Sequence, residues 1–298
     1  MGPGVWGVLA TPFTGGEHAL DLGSLAPLAH HYQAGGAAGL TVLGVFREAA
    51  RLSDAERAAV LGAVADAVGL PLVVGATSLS TAPLLDEVVQ AQQVVGPRLA
   101  AVMVQVHSAV PAELTRHLTA VHDATGAAVV VQDYPVASGV RITTADLADA
   151  VAGLPFVAAV KAESPPTSVS VGALARRPDV PVFGGLGGIG LLDELAAGGA
   201  GAMTGYSFPE GLVACVTAWR RDGPAAARTA LLPHLPLIAF EQQPGIGLAI
   251  RKACLQARGL VDGASVRPPA APMPPELRPL MRHHLDALGV HEPMTGET

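Results

Sequence analysis

Short runs of β-branched and apolar residues punctuate the chain at intervals of roughly 20–30 residues, with helical patterns between them. The runs are Val5–Phe13, Gly39–Phe46, Pro71–Thr77, Ala100–His107, Ala127–Tyr134, Phe156–Glu163, Pro181–Gly185 and Ala200–Tyr206. They are continuously apolar rather than alternating, which is the pattern of parallel strands covered on both faces by helices. The intervening stretches, such as Ser53–Val68 and Thr144–Ala152, are rich in Ala and Leu with acids and bases at helical spacing. Ser53 followed by Glu56 forms the S-x-x-E signature of a capping box and marks a helix start. Eight strand–helix units in succession predict an α/β fold, a (β/α)₈ (TIM) barrel with extra C-terminal helices, over an open doubly wound sheet. Residues 1–224 are assigned to the barrel and 225–298 to a helical extension packed on it, with a Pro-rich break at Arg267–Pro275. No linker divides the chain, so the two segments are expected to form one structural domain.

Composition fits this picture. The 298 residues are 50% hydrophobic, 4% aromatic and 14% charged, so Ala, Val and Leu must build the core. No stretch reaches the roughly 18 uninterrupted apolar residues of a membrane span, and the Met1–Trp6 start lacks the basic region of a secretory signal. A net charge of −7 without basic runs argues against nucleic acid as a partner. Two cysteines without a CxxC pair make a disulfide framework unexpected and a reducing cytoplasm the expected compartment.

In a barrel, chemistry belongs at the C-terminal strand ends. Lysine occurs only twice. Lys252, in Ile250-Arg251-Lys252-Ala253, lies in a helical stretch and reads as a solvated surface charge. Lys161 ends the strand-like run Phe156–Val160. Burial there disfavours the ammonium, and a neutral amine is what attack on a carbonyl requires. The competing reading is a lysine that snorkels at the strand end or pairs with Glu163.

The segment Val160-Lys161-Ala162-Glu163-Ser164 resembles the Schiff-base strand of the dihydrodipicolinate synthase / N-acetylneuraminate lyase family of class I aldolases. Gly7–Phe13 resembles that family's first strand, and Gly44–Glu48 with Leu52–Arg57 its "GTTGE…LS..E+R" block. Val182–Gly185 and Gly199–Met203 are similar to its strands seven and eight. The resemblance runs from about residue 4 to 290. It implies a barrel with C-terminal helices, a Lys161 imine with pyruvate or another 2-oxo acid, and a homodimer or homotetramer. Gly185 and Met203, on strands seven and eight, are expected to line the substrate site.

Several positions depart from the family pattern. Val45 and Phe46 replace two threonines that bind the substrate carboxylate and relay protons, leaving only backbone N–H groups there. Arg47, in place of the following glycine, can bind a carboxylate bidentately, or can point outward and pair with Glu48. Gln132 stands where the family's "YNxP" pattern has its tyrosine, and Tyr134 lies two residues on, on the same strand face. Tyr134 is therefore a candidate acid/base; alternatively it caps the barrel and Gln132 positions a water. His107 takes the place of a second relay tyrosine, as a proton shuttle or a structural histidine. Ala137 replaces the arginine that binds the second carboxylate in dihydrodipicolinate synthases proper, which argues against that reaction. Asp133 and Glu163, at strand ends, either tune the lysine or satisfy the barrel rim.

Gly185–Gly190 fits GxGxxG, with Glu210 about 20 residues on, and alone would indicate a dinucleotide fold. Its position after six strand–helix units instead favours an anion-binding barrel loop, or glycines that make room at the site. Ten histidines include His30-His31 and His283-His284 but show no HExxH or similar cluster, so no metal is expected. Glu241–Gly245 reads as a polar helix start. The reading is a class I aldolase-type lyase that needs no cofactor, performing C–C cleavage or condensation, or dehydration. The alternatives are dihydrodipicolinate synthase proper, a dehydrogenase-like binder and a non-catalytic binding barrel that has lost its proton relay.

Overall fold

A computed structural model describes residues 1–15, 18–44, 48–176 and 180–291. Eight parallel strands close into a barrel: β1 Gly4–Val8, β2 Gly39–Val42, β3 Leu72–Gly75, β4 Leu99–Gln105, β5 Val129–Asp133, β6 Val157–Ala162, β7 Val182–Gly184 and β8 Gly201–Thr204. Each pairs with its sequence neighbour, and β1 closes the ring against both β2 and β8 through pairs such as Val8 with Thr41 and Val5 with Ala202. A small antiparallel hairpin, Phe13–Thr14 with Ala19–Leu20, follows β1. The GxGxxG run follows β7 of this closed sheet, which corrects the dinucleotide-fold alternative: the eight-stranded sheet closes on itself and so has neither an open edge nor a strand-order switch point.

An outer layer of helices follows the strands, α1 Leu22–Ala34, α2 Asp54–Ala67, α3 Thr81–Val95, α4 Pro111–Thr125, α5 Thr144–Val151, α6 Thr167–Ala175, α7 Leu191–Ala196 and α8 Pro209–Asp222, with a short extra helix Pro135–Ser138 after β5. Local chemistry sets their ends. The capping box at α2 is present in both directions: Ser53 N donates to Glu56 Oε2 at 2.8 Å and Glu56 N to Ser53 Oγ at 3.3 Å. Gly126 ends α4 at φ 69°, a left-handed position that glycine adopts without strain.

Alternation along the strands separates two cores. Trp6, Val8, Val73, Ala101, Met103, Val130, Ala159, Phe183 and Met203 fill the barrel interior. Residues between them on the same strands, such as Val102, Val129 and Val160, face outward and pack with helix residues including Leu114, Leu118 and Val171. Four more helices, α9 Pro224–Leu231, α10 Leu235–Glu241, α11 Gly247–Ala257 and α12 Arg278–Ala287, form the C-terminal extension. Their apolar faces join α7 and α8 through Leu191, Leu212, Leu237, Ile250 and Leu285. No described helix is long and apolar enough to cross a membrane.

Candidate active site

Strand β6 carries Lys161 into the barrel interior, at the same level as Gln132 on β5 and Phe183 on β7. Gln105 of β4 is in turn the register partner of Gln132, so a row of polar side chains crosses β4, β5 and β6. One step lower on the same strands stand Val130 and Ala159, members of the apolar interior. Lys161 is thus a charged group resting on a hydrocarbon plug, with 3% of its surface exposed.

Glu163 shares its face of the chain, two residues on. Its Oε2 lies 3.1 Å from Lys161 Nζ and accepts a hydrogen bond of 2.7 Å from Gln132 Nε2. Its Oε1 receives the Leu186 N–H at 3.4 Å. Gly185 makes this seat possible, because a β-carbon at that position would overlap the Glu163 carboxylate. The glycine-rich loop after β7 therefore serves close approach to a carboxylate of the chain itself.

Two further acids, on the helix-facing side of the strands, feel the charge of Glu163. Burial, and then the negative charge of Glu163, raises the Asp133 carboxyl to about 6. Its Oδ1 is buried without a hydrogen-bond partner among the described residues. Glu194 of α7 is 1% exposed and accepts the Thr167 hydroxyl at 2.6 Å on Oε1. Burial raises its carboxyl to about 7 against the lowering effect of that bond, with Glu163 again adding to the rise. Glu194 Oε2 rests where a side chain on Gly184 would be and finds no described partner. Gln132 Oε1 and the Thr41 hydroxyl, both buried, likewise have none. A substrate entering the barrel interior at this level meets the Lys161 amine, the Glu163 carboxyl group and the Gln132 amide.

The other residues singled out in the sequence are dispersed. Val45, Phe46 and Arg47 lie outside the described residues. Tyr134 is half-buried at the start of the short helix Pro135–Ser138, where its carbonyl accepts from Ala137 N and Ser138 N. The His107 ring packs against His117 of α4, with centroids 4.1 Å apart and planes tilted by 37°, and His117 Nδ1 bonds the Thr81 hydroxyl at the start of α3. Burial lowers both imidazoles, His117 to about 4 with His107 adding to its fall. Met203 packs with Trp6 and Phe183 in the apolar interior.

Two sequence readings need correction. Lys252 is not a solvated charge: its Nζ donates to Glu48 Oε1 at 2.7 Å and to the Ser265 carbonyl at 2.9 Å, and it sits 4.4 Å from the Phe13 ring centre. Glu241 ends α10 rather than beginning a helix, and it is buried against Arg251 at 3.1 Å and the Ser207 hydroxyl. Gln105 and Glu194 were missed. Gln105 has a signal in retrospect, as a lone amide after the apolar run Ala100–Val104, whereas Glu194 looks like any helix acid.

The chain matches the model of the Dihydrodipicolinate synthetase family over residues 2–288. It is 33% identical to 4-hydroxy-tetrahydrodipicolinate synthase of Kineococcus radiotolerans over 280 residues, covering 91% of this chain and 88% of that protein. It is 32% identical to L-2-keto-3-deoxyarabonate dehydratase of Azospirillum brasilense over 295 residues, covering 96% and 93%. The structure of dihydrodipicolinate synthase from Rhodopseudomonas palustris superposes with a TM-score of 0.87 at 28% identity, covering 96% of this chain and 97% of that one. With the closed barrel and a match from end to end, the chain belongs to the dihydrodipicolinate synthetase family of enzymes.

Proposed function

We propose that the protein is a Schiff-base lyase of 2-oxo acids, with Lys161 as the nucleophile and a dehydration as its reaction. The observation that carries this reading is a buried lysine at the C-terminal mouth of the barrel, hydrogen-bonded into a set of groups able to move protons. The neutral amine attacks C2 of the 2-oxo acid, and loss of water gives an imine whose cationic nitrogen draws electrons from C3. That electron sink is organic, so the chemistry calls for no metal or other cofactor. Arg47 and backbone N–H groups near Val45 and Phe46 are assigned to the substrate carboxylate, Gln132 and Gly185 to the walls of the site, and Tyr134 and His107 to candidate proton transfer.

Dehydration is favoured over synthesis by one position. Ala137, exposed on the short helix after Tyr134, offers only a methyl group where the resemblance places an arginine for a second carboxylate. The similarity to a 2-keto-3-deoxy sugar acid dehydratase points the same way. The substrate class is then a 2-oxo acid with a methylene at C3 and a hydroxyl at C4. Homodimers or homotetramers are expected, as sedimentation velocity would register.

Incubation with pyruvate, reduction with borohydride and peptide mass mapping test the central claim. The expected result is an adduct on Lys161. An unmodified protein after a panel of 2-oxo acids refutes the imine, and an adduct on Lys252 refutes the assignment.

A further inference from the structure

The C-terminal extension holds a cavity of about 630 Å³ between α11, α12 and the segment that connects them, a size typical of small-molecule sites. Neither Lys161 nor the groups bonded around it line this space. Its two sides differ in chemistry. On α11, Ala249, Ala253 and Ala257 recur every four residues, so their methyl groups share one face and form a hydrocarbon wall. Met273 and Met281 extend the apolar side with unbranched side chains that adjust to what lies against them. The polar side belongs to α12, where Arg278 and Arg282 stand one turn apart, with β-carbons about 5–6 Å from each other. Among the described residues no Asp or Glu lines the cavity, in a chain with 25 acidic side chains against 18 basic ones. Two guanidinium groups at that spacing can share one dianionic head, because their planar N–H forks match phosphate oxygens bidentately.

The connecting segment is pinned to the barrel before any ligand arrives. Ser265, in the cavity wall, donates from Oγ to the Phe13 carbonyl at 3.2 Å, and its own carbonyl accepts from Lys252 Nζ at 2.9 Å. Two residues on, Arg267 donates to the His18 carbonyl at 2.9 Å and to the Glu56 carboxylate. Walls held in this way lower the ordering cost of binding. We propose that this cavity binds a phosphomonoester with a small apolar body, the phosphate on Arg278 and Arg282 and the body against Ala249, Ala253 and Met281. A monocarboxylate would offer one guanidinium its two oxygens, whereas the three terminal oxygens of a phosphate serve both. A bare phosphate would leave the alanine wall facing water, so the apolar body contributes to binding as well. The site is separate from Lys161 and independent of the imine chemistry there.

The test is isothermal titration calorimetry of the full-length protein with phenyl phosphate, beside inorganic phosphate and phenol as the head and the body alone. Phenyl phosphate is expected to bind at one site per chain with a Kd of about 1 mM or tighter, and about tenfold or more tighter than either fragment. Arg278→Gln combined with Arg282→Gln is expected to weaken binding about tenfold or more. Ala253→Leu fills the cavity from its apolar side and is expected to do the same, with native circular dichroism in both variants. Should Ala253→Leu fold poorly, Ala257→Leu replaces it with the same expectation. Lys161→Met removes the cation of the barrel mouth and is expected to bind phenyl phosphate as the wild type does. No binding by the wild type up to about 10 mM overturns the proposal, as does equal affinity for inorganic phosphate or phenol. Wild-type affinity in the arginine variant or in the folded leucine variant overturns it too. Loss of binding in Lys161→Met has the same force, because the ligand would then occupy the barrel mouth instead.

Discussion

Glu194→Gln isolates the cost of charge beside the site. The carboxyl ordinarily titrates at 4.5, and burial in the fold raises it to about 7. The sign follows from which state binds the proton more tightly. Below pH about 4.5 the carboxyl is protonated in both folded and unfolded chains, and the shift has no effect on stability. Between 4.5 and about 7 the unfolded chain ionises while the folded one holds its proton, so stability is lost as pH rises. Above about 7 both states are ionised and the full penalty is present. The gap between 4.5 and about 7, at about 1.4 kcal/mol per pH unit, comes to about 3–4 kcal/mol. A glutamine keeps an oxygen to accept the Thr167 hydroxyl, bonded at 2.6 Å in the native chain, and never ionises. Urea unfolding followed by tryptophan fluorescence, with Trp6 inside the barrel as reporter, measures the difference. The variant should gain about 3–4 kcal/mol relative to wild type between pH 4.5 and pH 8.5. A difference that stays constant across that range refutes the claim that Glu194 is held protonated by burial.

Two further substitutions probe the fold around the site. Lys252→Met leaves the Glu48 carboxylate buried without its ammonium partner and should cost about 3–5 kcal/mol in urea unfolding, with part restored by adding Glu48→Gln; a loss below about 1 kcal/mol means that the pair carries no charge. Gly185→Ala drives a β-carbon into the Glu163 carboxylate, and trapping with pyruvate should slow about 100-fold while circular dichroism stays native, whereas wild-type trapping would show that the loop yields freely.

The barrel was legible because strands buried on both faces are written as unbroken apolar runs. Their ends were less so. The first run was read to Phe13, yet β1 stops at Val8, because Leu9, Ala10 and Phe13 stay buried after the ladder ends. Hydrophobicity records burial and is silent on where strand pairing stops. Lys161 was legible for the same reason that Lys252 was misread. A lysine ending an apolar strand has its environment written beside it, whereas Lys252 lies on a helix and meets Glu48 across 204 residues of sequence. Glu241 repeats the lesson, with a buried partner in Ser207 on the loop after β8.

The glycine run after β7 shows how one motif admits several meanings until the chain closes on itself. Read along the sequence, it offers backbone N–H groups to an anion. In the barrel the anion is Glu163, supplied by β6 and seated against Gly185 and the Leu186 N–H. Glu194, turned toward Gly184 from the other side of β7, brings a second acid within electrostatic reach of the first. Burial raises the Asp133 and Glu194 carboxyls, and the charge of Glu163 adds to each rise. The arrangement thereby separates acids that look alike in sequence: Asp133 and Glu194 meet Glu163 through its field alone, while Glu163, two residues from the amine on the same face, lies 3.1 Å from it.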